Sequence, residues 1–131
     1  MSRKLAQQFI DALHVLERNG DVNGLVELFA EDCSIANVAA ERVFRGRAGA
    51  QYFWHEYRGF FSEVESELRD VVAEGDRIAV QWVIRGVNLT GMPVTHDGAS
   101  VMYIRGGKIK HLDAYFDAAV LEEQARMPPP Y

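Results

Sequence analysis

The chain has almost no cysteine, no clustered positive charge and no long apolar run, and each deficit closes off a class of function. Cys33 is the single cysteine in 131 residues, so no internal disulfide forms and no thiolate metal site can be assembled. The four histidines (His14, His55, His96 and His111) are scattered without ligand-pair spacing, and neither a metal nor a cofactor is expected. Lys and Arg number 14 against 19 Asp and Glu, a net charge of −5, and the longest basic run is Arg3-Lys4. A nucleic acid or an anionic membrane surface needs a basic face, and none is supplied. No stretch approaches membrane-spanning length and no charged-then-apolar leader is present, which reads as a cytoplasmic chain. Phosphate-cradling loops, dinucleotide fingerprints and Ser-His-Asp spacing are also missing.

What is there is ordinary for a globular protein: 48% hydrophobic and 25% charged residues. The length suits one domain, 1–131, with a mainly helical half (1–62), an antiparallel strand region (63–117) and a closing helix with a Pro-rich tail (118–131). Leu5, Phe9, Leu13 and Leu16 recur at helical spacing and predict an amphipathic helix over 2–18, stopped by Asn19-Gly20. Asp21 can cap a second helix, buried through Val22, Leu25, Val26, Leu28 and Phe29 and ending near Glu31-Asp32. A short strand is expected over 33–38 and a ring-rich third helix over 50–61. Period-two alternation predicts strands over 63–73 and 78–85, joined by a turn at Glu74-Gly75-Asp76-Arg77. The most informative stretch is 94–117, two long strands about a Gly106-Gly107 hairpin, ending in Asp117, which can cap a closing helix. Helices first and strands after is an α+β layout, and helices packed on one face of a curled sheet leave a conical cavity.

Three local patterns carry a resemblance. They are Asn19-Gly20-Asp21 followed by Leu28-Phe29-Ala30-Glu31-Asp32; the run from Val71 through Glu74-Gly75-Asp76-Arg77 to Trp82; and Gly107-Lys108-Ile109 leading to Tyr115-Phe116-Asp117. In this order they resemble the nuclear-transport-factor-two-like superfamily, and within it the SnoaL-like branch of polyketide-cyclase and ketosteroid-isomerase relatives. The resemblance implies a cone-shaped curved sheet, antiparallel or mixed, wrapped around three N-terminal helices, with a short C-terminal helix. It says little about reaction, because one fold hosts many functions.

Residue by residue, the resemblance places Asn37 where ketosteroid isomerases hold a general-base aspartate and epoxide hydrolases a water-orienting asparagine. Ser100 stands where isomerases hold an oxyanion-hole acid and cyclases a histidine. Ala114 stands where cyclases and epoxide hydrolases hold an acid-base aspartate, and Leu13 at the isomerases' helix-one tyrosine. Arg85 falls near the hydrolases' arginine-aspartate pair. The known catalytic sets are therefore not intact.

Two acid-base candidates remain. His96 shares a strand face with Ser100 and Met102, about 13 Å from Ser100 at 3.3 Å per residue, near a cavity mouth. Its plain alternative is a solvated loop histidine. Asp113 shares a face with His111 outside the sheet, and enters the cavity only if a bulge flips the register. Asn37, Gln81, Arg85, Ser100, Met102, Trp54 and Phe116 are the candidate substrate-binding residues, Arg85 having an exposed strand end as its alternative. Two functions stay open. One is a cofactor-free enzyme doing proton-transfer chemistry (isomerisation, cyclisation, dehydration or epoxide hydration) on a small apolar cyclic compound. The other is a non-catalytic module that binds a small molecule or dimerises. A homodimer is expected through an outer sheet face carrying Trp82, Val101, Tyr103 and Tyr115.

Overall fold

The computed structural model describes residues 2–38 and 41–116. The expected closing helix and tail at 118–131 lie outside the described residues. Helix α1 (Ser2–Asn19) buries Leu5, Ala6, Phe9, Leu13, Leu16 and, on the same face, Glu17. It stops where anticipated: Gly20 takes a left-handed φ of 75° and its N–H still reaches the Leu16 carbonyl at 2.8 Å.

The second helix is shorter than its apolar pattern implies. Helix α2 covers only Asn23–Val26, and Phe29 opens strand β1 (Phe29–Asn37) instead of closing a helix. Long-range pairing within the chain overrides local periodicity here: the Ile109 N–H donates to the Leu28 carbonyl at 2.8 Å, and Phe29 pairs with Ile109. A four-residue edge strand, β2 (Arg42–Arg45), follows, too short to show a period. Helix α3 runs Gly46–Gly59, and the long strands are β3 (Phe61–Glu74), β4 (Arg77–Asn88), β5 (Pro93–Arg105) and β6 (Lys108–Phe116).

The six strands form one sheet in the order β2-β1-β6-β5-β4-β3, with β1 and β6 parallel and the other neighbours antiparallel. It is a mixed, curved sheet, the α+β cone the sequence implies. The β5–β6 turn uses Gly106 and Gly107 at φ of 60° and 76°, as a two-residue hairpin requires. At the β4–β5 turn, the buried Asn88 side chain accepts from the N–H groups of Thr90 and Met92 and from the Thr90 hydroxyl, so the entry into β5 is fixed.

Two irregularities set which side chains face the helices. In β3 the register jumps between Leu68↔Trp82 and Asp70↔Gln81, leaving Arg69 as the extra residue and tightening the local twist. In β6, Tyr103 pairs with His111 but Ile104 with Ile109, so Lys110 is the extra residue. Ile109 and Leu112 are consequently both buried, at 0% and 1% exposure, although three residues apart. Beyond that bulge Ala114 and Phe116 face inward and Asp113 outward. No helix among the described residues is long and apolar enough to cross a membrane.

Candidate active site

Between the helices and the concave sheet lies a cavity of about 410 Å³. Phe9 and Leu13 come from α1, and Phe53, Trp54 and Tyr57 from α3; Trp82 and Ile84 face them from β4. The rings interlock edge to face: Phe53–Trp54 at 4.9 Å and 89°, Trp54–Tyr57 at 5.9 Å and 88°. Such a wall is rigid and suits a flat apolar ligand.

The polar groups are few. His96 is buried in the wall of the cavity, not in a solvated loop, with Trp82 at 5.8 Å and Phe116 at 5.0 Å between ring centres. Ser100 shares its inward face, and the Trp82 indole N–H donates to the Ser100 hydroxyl at 3.0 Å. That bond orients both groups, because the serine oxygen accepts and its proton stays available to a ligand. Asn37 and Ala114 are register partners on β1 and β6, and Ala114 pairs in turn with Ser100, so all three line the cavity side by side. Gly98 makes room for the indole: a Cβ there would lie 2.6 Å from Trp82 Cη2 and would also collide with the Tyr115 carbonyl.

At the opening, Arg42 of β2 and Glu56 of α3 form a forked ion pair, Nη1–Oε1 2.8 Å and Nη2–Oε2 3.4 Å. Both side chains are about half exposed, at 51% and 45%, so the pair contributes at most about 1 kcal/mol to stability. Its location on the cavity rim matters more. On the helical side, buried Glu17 accepts from Tyr57 at 2.6 Å, from the Ser66 hydroxyl at 3.0 Å and from the Ser66 N–H at 3.1 Å. Among the described residues, the buried Trp54 indole N–H has no hydrogen-bond partner.

Of the residues singled out from sequence, the cavity gathers Asn37, Trp54, His96, Ser100 and Phe116. The others lie elsewhere. Gln81 and Arg85 are on the outer face, because Ile78, Val80, Trp82 and Ile84 take the inner one; Arg85 Nη1 pairs with Glu67 there at 2.9 Å. Met102 is inward but wholly buried in the core beneath the cavity wall. Asp113 is outside, where its Oδ1 is 2.7 Å from His111 Nε2, while His111 Nδ1 is 2.5 Å from the Ser34 hydroxyl. The bulge at Lys110 does the reverse of bringing Asp113 in: counted by twos from buried Ile109, Asp113 would face the cavity, and the extra residue turns it away. Trp82, expected on the outer face, is a cavity wall. His14 is half-buried, its Nε2 3.2 Å from the Ser66 carbonyl, not a plain surface residue.

A family model described as SnoaL-like domain matches residues 6–112. The chain belongs to that family. No curated protein matches this SnoaL-like domain in sequence. Solved structures do match its fold. TerC, co-crystallised with polyporic acid, aligns at TM-score 0.79 and 19% identity, covering 94% of this chain and 99% of TerC. A protein with a ketosteroid isomerase-like fold from Catenulispora acidiphila, in complex with trimethylamine, gives 0.78 and 20%, covering 92% and 94%. A putative SnoaL-like polyketide cyclase from Jannaschia gives 0.77 and 17%, covering 94% of each chain. At these identities the likeness is one of fold.

Sequence reasoning gave no polar role to Arg42, Glu17, Tyr57 or Ser66 in this SnoaL-like domain. A signal existed for one: Glu17 follows Leu13 by four residues, a charge within the apolar stripe of α1. No group of three or more His, Cys, Asp or Glu side chains among the described residues has metal-binding geometry.

Proposed function

We propose that this SnoaL-like domain binds a flat, apolar cyclic compound and performs cofactor-free proton-transfer chemistry on it, as isomerisation, cyclisation, dehydration or epoxide hydration. The observation that carries the reading is His96, buried in the wall of a ring-lined cavity on the strand face it shares with Ser100. Histidine is the side chain suited to exchange protons near neutral pH. In this reading His96 is the acid-base group. Ser100 donates its hydroxyl proton to a developing oxyanion, and Asn37 orients the substrate or a water. A serine hydroxyl donates more weakly than a protonated carboxylic acid, so the oxyanion contribution is modest. That TerC was co-crystallised with polyporic acid and the Catenulispora protein was solved in complex with trimethylamine supports reading this domain as one that takes a small organic ligand.

A second reading is a binding module without turnover. It is favoured by one observation: Ala114 faces the cavity where an acid-base carboxylate would be effective, and the neighbouring carboxylate, Asp113, faces out. One experiment separates the two. A panel of cyclic ketones and epoxides is assayed for binding and for turnover with wild type and His96→Gln. Turnover by wild type that falls at least about 100-fold in His96→Gln, with binding kept, supports catalysis. Binding with no turnover in wild type assigns the binding module, and unchanged turnover in the variant removes His96 from the chemistry.

We also propose that two copies associate through the outer sheet face, which leaves Val101 and Tyr115 37% and 45% exposed beside Tyr103. Light scattering at micromolar concentration should give a dimer that Tyr115→Lys weakens; a wild-type monomer would end this proposal.

A further inference from the structure

Glu17 is a carboxylate in the apolar stripe of a helix, 3% exposed. A buried charge is tolerated only where donors meet it. Three do: the Tyr57 hydroxyl on Oε2, and both the backbone N–H and the hydroxyl of Ser66 on Oε1. Glu17 does not border the cavity, but Tyr57 and Ser66 do. Each of those hydroxyls has one proton and two lone pairs, and each proton is spent on Glu17. What the two oxygens retain for the cavity is acceptor capacity. Burial, and then the adjacent Glu17 carboxylate, push the Tyr57 phenol far above its ordinary range, so it keeps the proton it donates.

We propose that Tyr57 and Ser66, polarised by Glu17, form an acceptor-only subsite that selects ring compounds presenting a hydroxyl group, a phenol or an alcohol, over ethers and hydrocarbons of the same shape. The proposal rests on reading the cavity as a ligand pocket and names the class of ligand it takes. Strand β5 has the opposite sense. Ser100 already accepts from the Trp82 N–H, so its hydroxyl can donate to a ligand carbonyl. A ligand carrying a hydroxyl at one place and a carbonyl at another satisfies both sides, whereas the reversed ligand sets its carbonyl against two acceptors that have no proton to give it. The cavity thus gives its occupant one direction, although most of its lining is apolar.

The test uses the full chain and three probes of nearly the same shape: β-naphthol, its methyl ether, and naphthalene, titrated by calorimetry at neutral pH. In wild type β-naphthol should bind about tenfold more tightly than the ether, the worth of one hydrogen bond. Tyr57→Phe, which keeps the ring against Trp54 and Phe61, and Ser66→Ala should each reduce that preference several-fold while leaving the ether's affinity alone. Glu17→Gln supplies a signature that a merely structural role would not produce. Oε1 receives two donors, one of them a fixed backbone N–H, so the amide oxygen takes that place and the NH₂ takes the place of Oε2. The amide then donates to Tyr57, whose proton turns toward the cavity, and the preference should shift toward the ether.

Equal affinity of β-naphthol and its ether in wild type would overturn the subsite and leave the ligand pocket standing. An unchanged preference in Tyr57→Phe would overturn it as well. Failure of all three probes to bind would take down the pocket reading and this inference together. Should Glu17→Gln prove unfolded by circular dichroism, the Tyr57→Phe result decides alone.

Discussion

Gly98→Ala is the substitution that most directly tests the geometry of the cavity floor. Replacing glycine by alanine in a strand ordinarily stabilises, by about 0.5–1 kcal/mol, through the unfolded chain. Here the opposite sign is expected. An added Cβ would collide with the Tyr115 carbonyl and lie 2.6 and 2.7 Å from Trp82 Cη2 and Cζ2. The carbonyl belongs to β6, paired with β5 through Ala99 and Tyr115, and cannot retreat without breaking the sheet. Overpacking of this kind costs about 1–3 kcal/mol. Displacing the indole also breaks its 3.0 Å bond to Ser100, about 1 kcal/mol more. The sum, about 2–4 kcal/mol, corresponds to a Tm lower by roughly 6–15 °C for a domain of this size. Urea unfolding followed by circular dichroism measures the loss, and tryptophan emission reports the indole's move. Gly59→Ala is the control: no atom lies within 4 Å of its Cβ, so it should be neutral or slightly stabilising. If Gly98→Ala matches wild type in stability and emission, the close stacking of Trp82 over that strand is wrong, and the cavity floor with it.

Two further outcomes follow from other parts of the fold. Cys33 is 2% exposed, and burial pushes its thiol above the ordinary value of 9.0, so a thiol-specific disulfide reagent should leave the native chain unmodified and react once per chain in urea. Because the folded-state value is the raised one, the stabilising contribution is complete below the ordinary thiol range and is lost as pH rises through the folded value; Cys33→Ser should flatten that alkaline decline, and an unchanged profile would refute it. Ala114→Asp puts a carboxylate beside Asn37 and Ser100, its cross-strand partners, in a wall where Ala114 is 5% exposed. Desolvation should raise that carboxyl, making the variant's deficit relative to wild type shrink as pH falls; a deficit independent of pH would show the side chain turned out to water.

Much of the fold was legible because its signals were local. The stripe Leu5, Phe9, Leu13, Leu16 and the Gly20 stop give α1, and period-two alternation about Gly75 and about Gly106-Gly107 gives two of the four antiparallel pairs of consecutive strands. Two features escaped because nothing local encodes them. Strand β2 has only four residues and exists through its pairing with β1. Phe29 satisfies a helical pattern as well as a strand pattern, and its pairing with Ile109 decides between them. The face of β4 was ambiguous for a different reason. Gln81 and Arg85 have the chemistry of a site, but packing against α1 and α3 rewards the apolar set, so the polar set went to solvent. Inward positions on β5 were correctly read by counting from Ser100, since β5 has no bulge between Val94 and Met102.

The single extra residue at Lys110 then decides what kind of chemistry the cavity can hold. A strand's side chains alternate, so one inserted residue exchanges the two sets beyond it. Without it, the face that buries Ile109 would continue through His111, Asp113 and Tyr115, an imidazole, a carboxylate and a phenol. With it, the same face continues through Leu112, Ala114 and Phe116, and the carboxylate pairs with His111 outside. On β1, β5 and β6 the cavity is left with Asn37, His96 and Ser100 as its polar groups and no carboxylate. The carboxylates that serve the cavity stand on the helices, Glu56 at the rim tied to Arg42, and Glu17 behind Tyr57 and Ser66. A proton leaving a bound compound therefore has the imidazole on β5 as its acceptor, whereas the Tyr57 and Ser66 hydroxyls, whose own protons point at Glu17, accept a hydrogen bond and take no proton. None of these groups lies at the catalytic aspartate positions, 37 and 114, where the chain holds an amide and a methyl group.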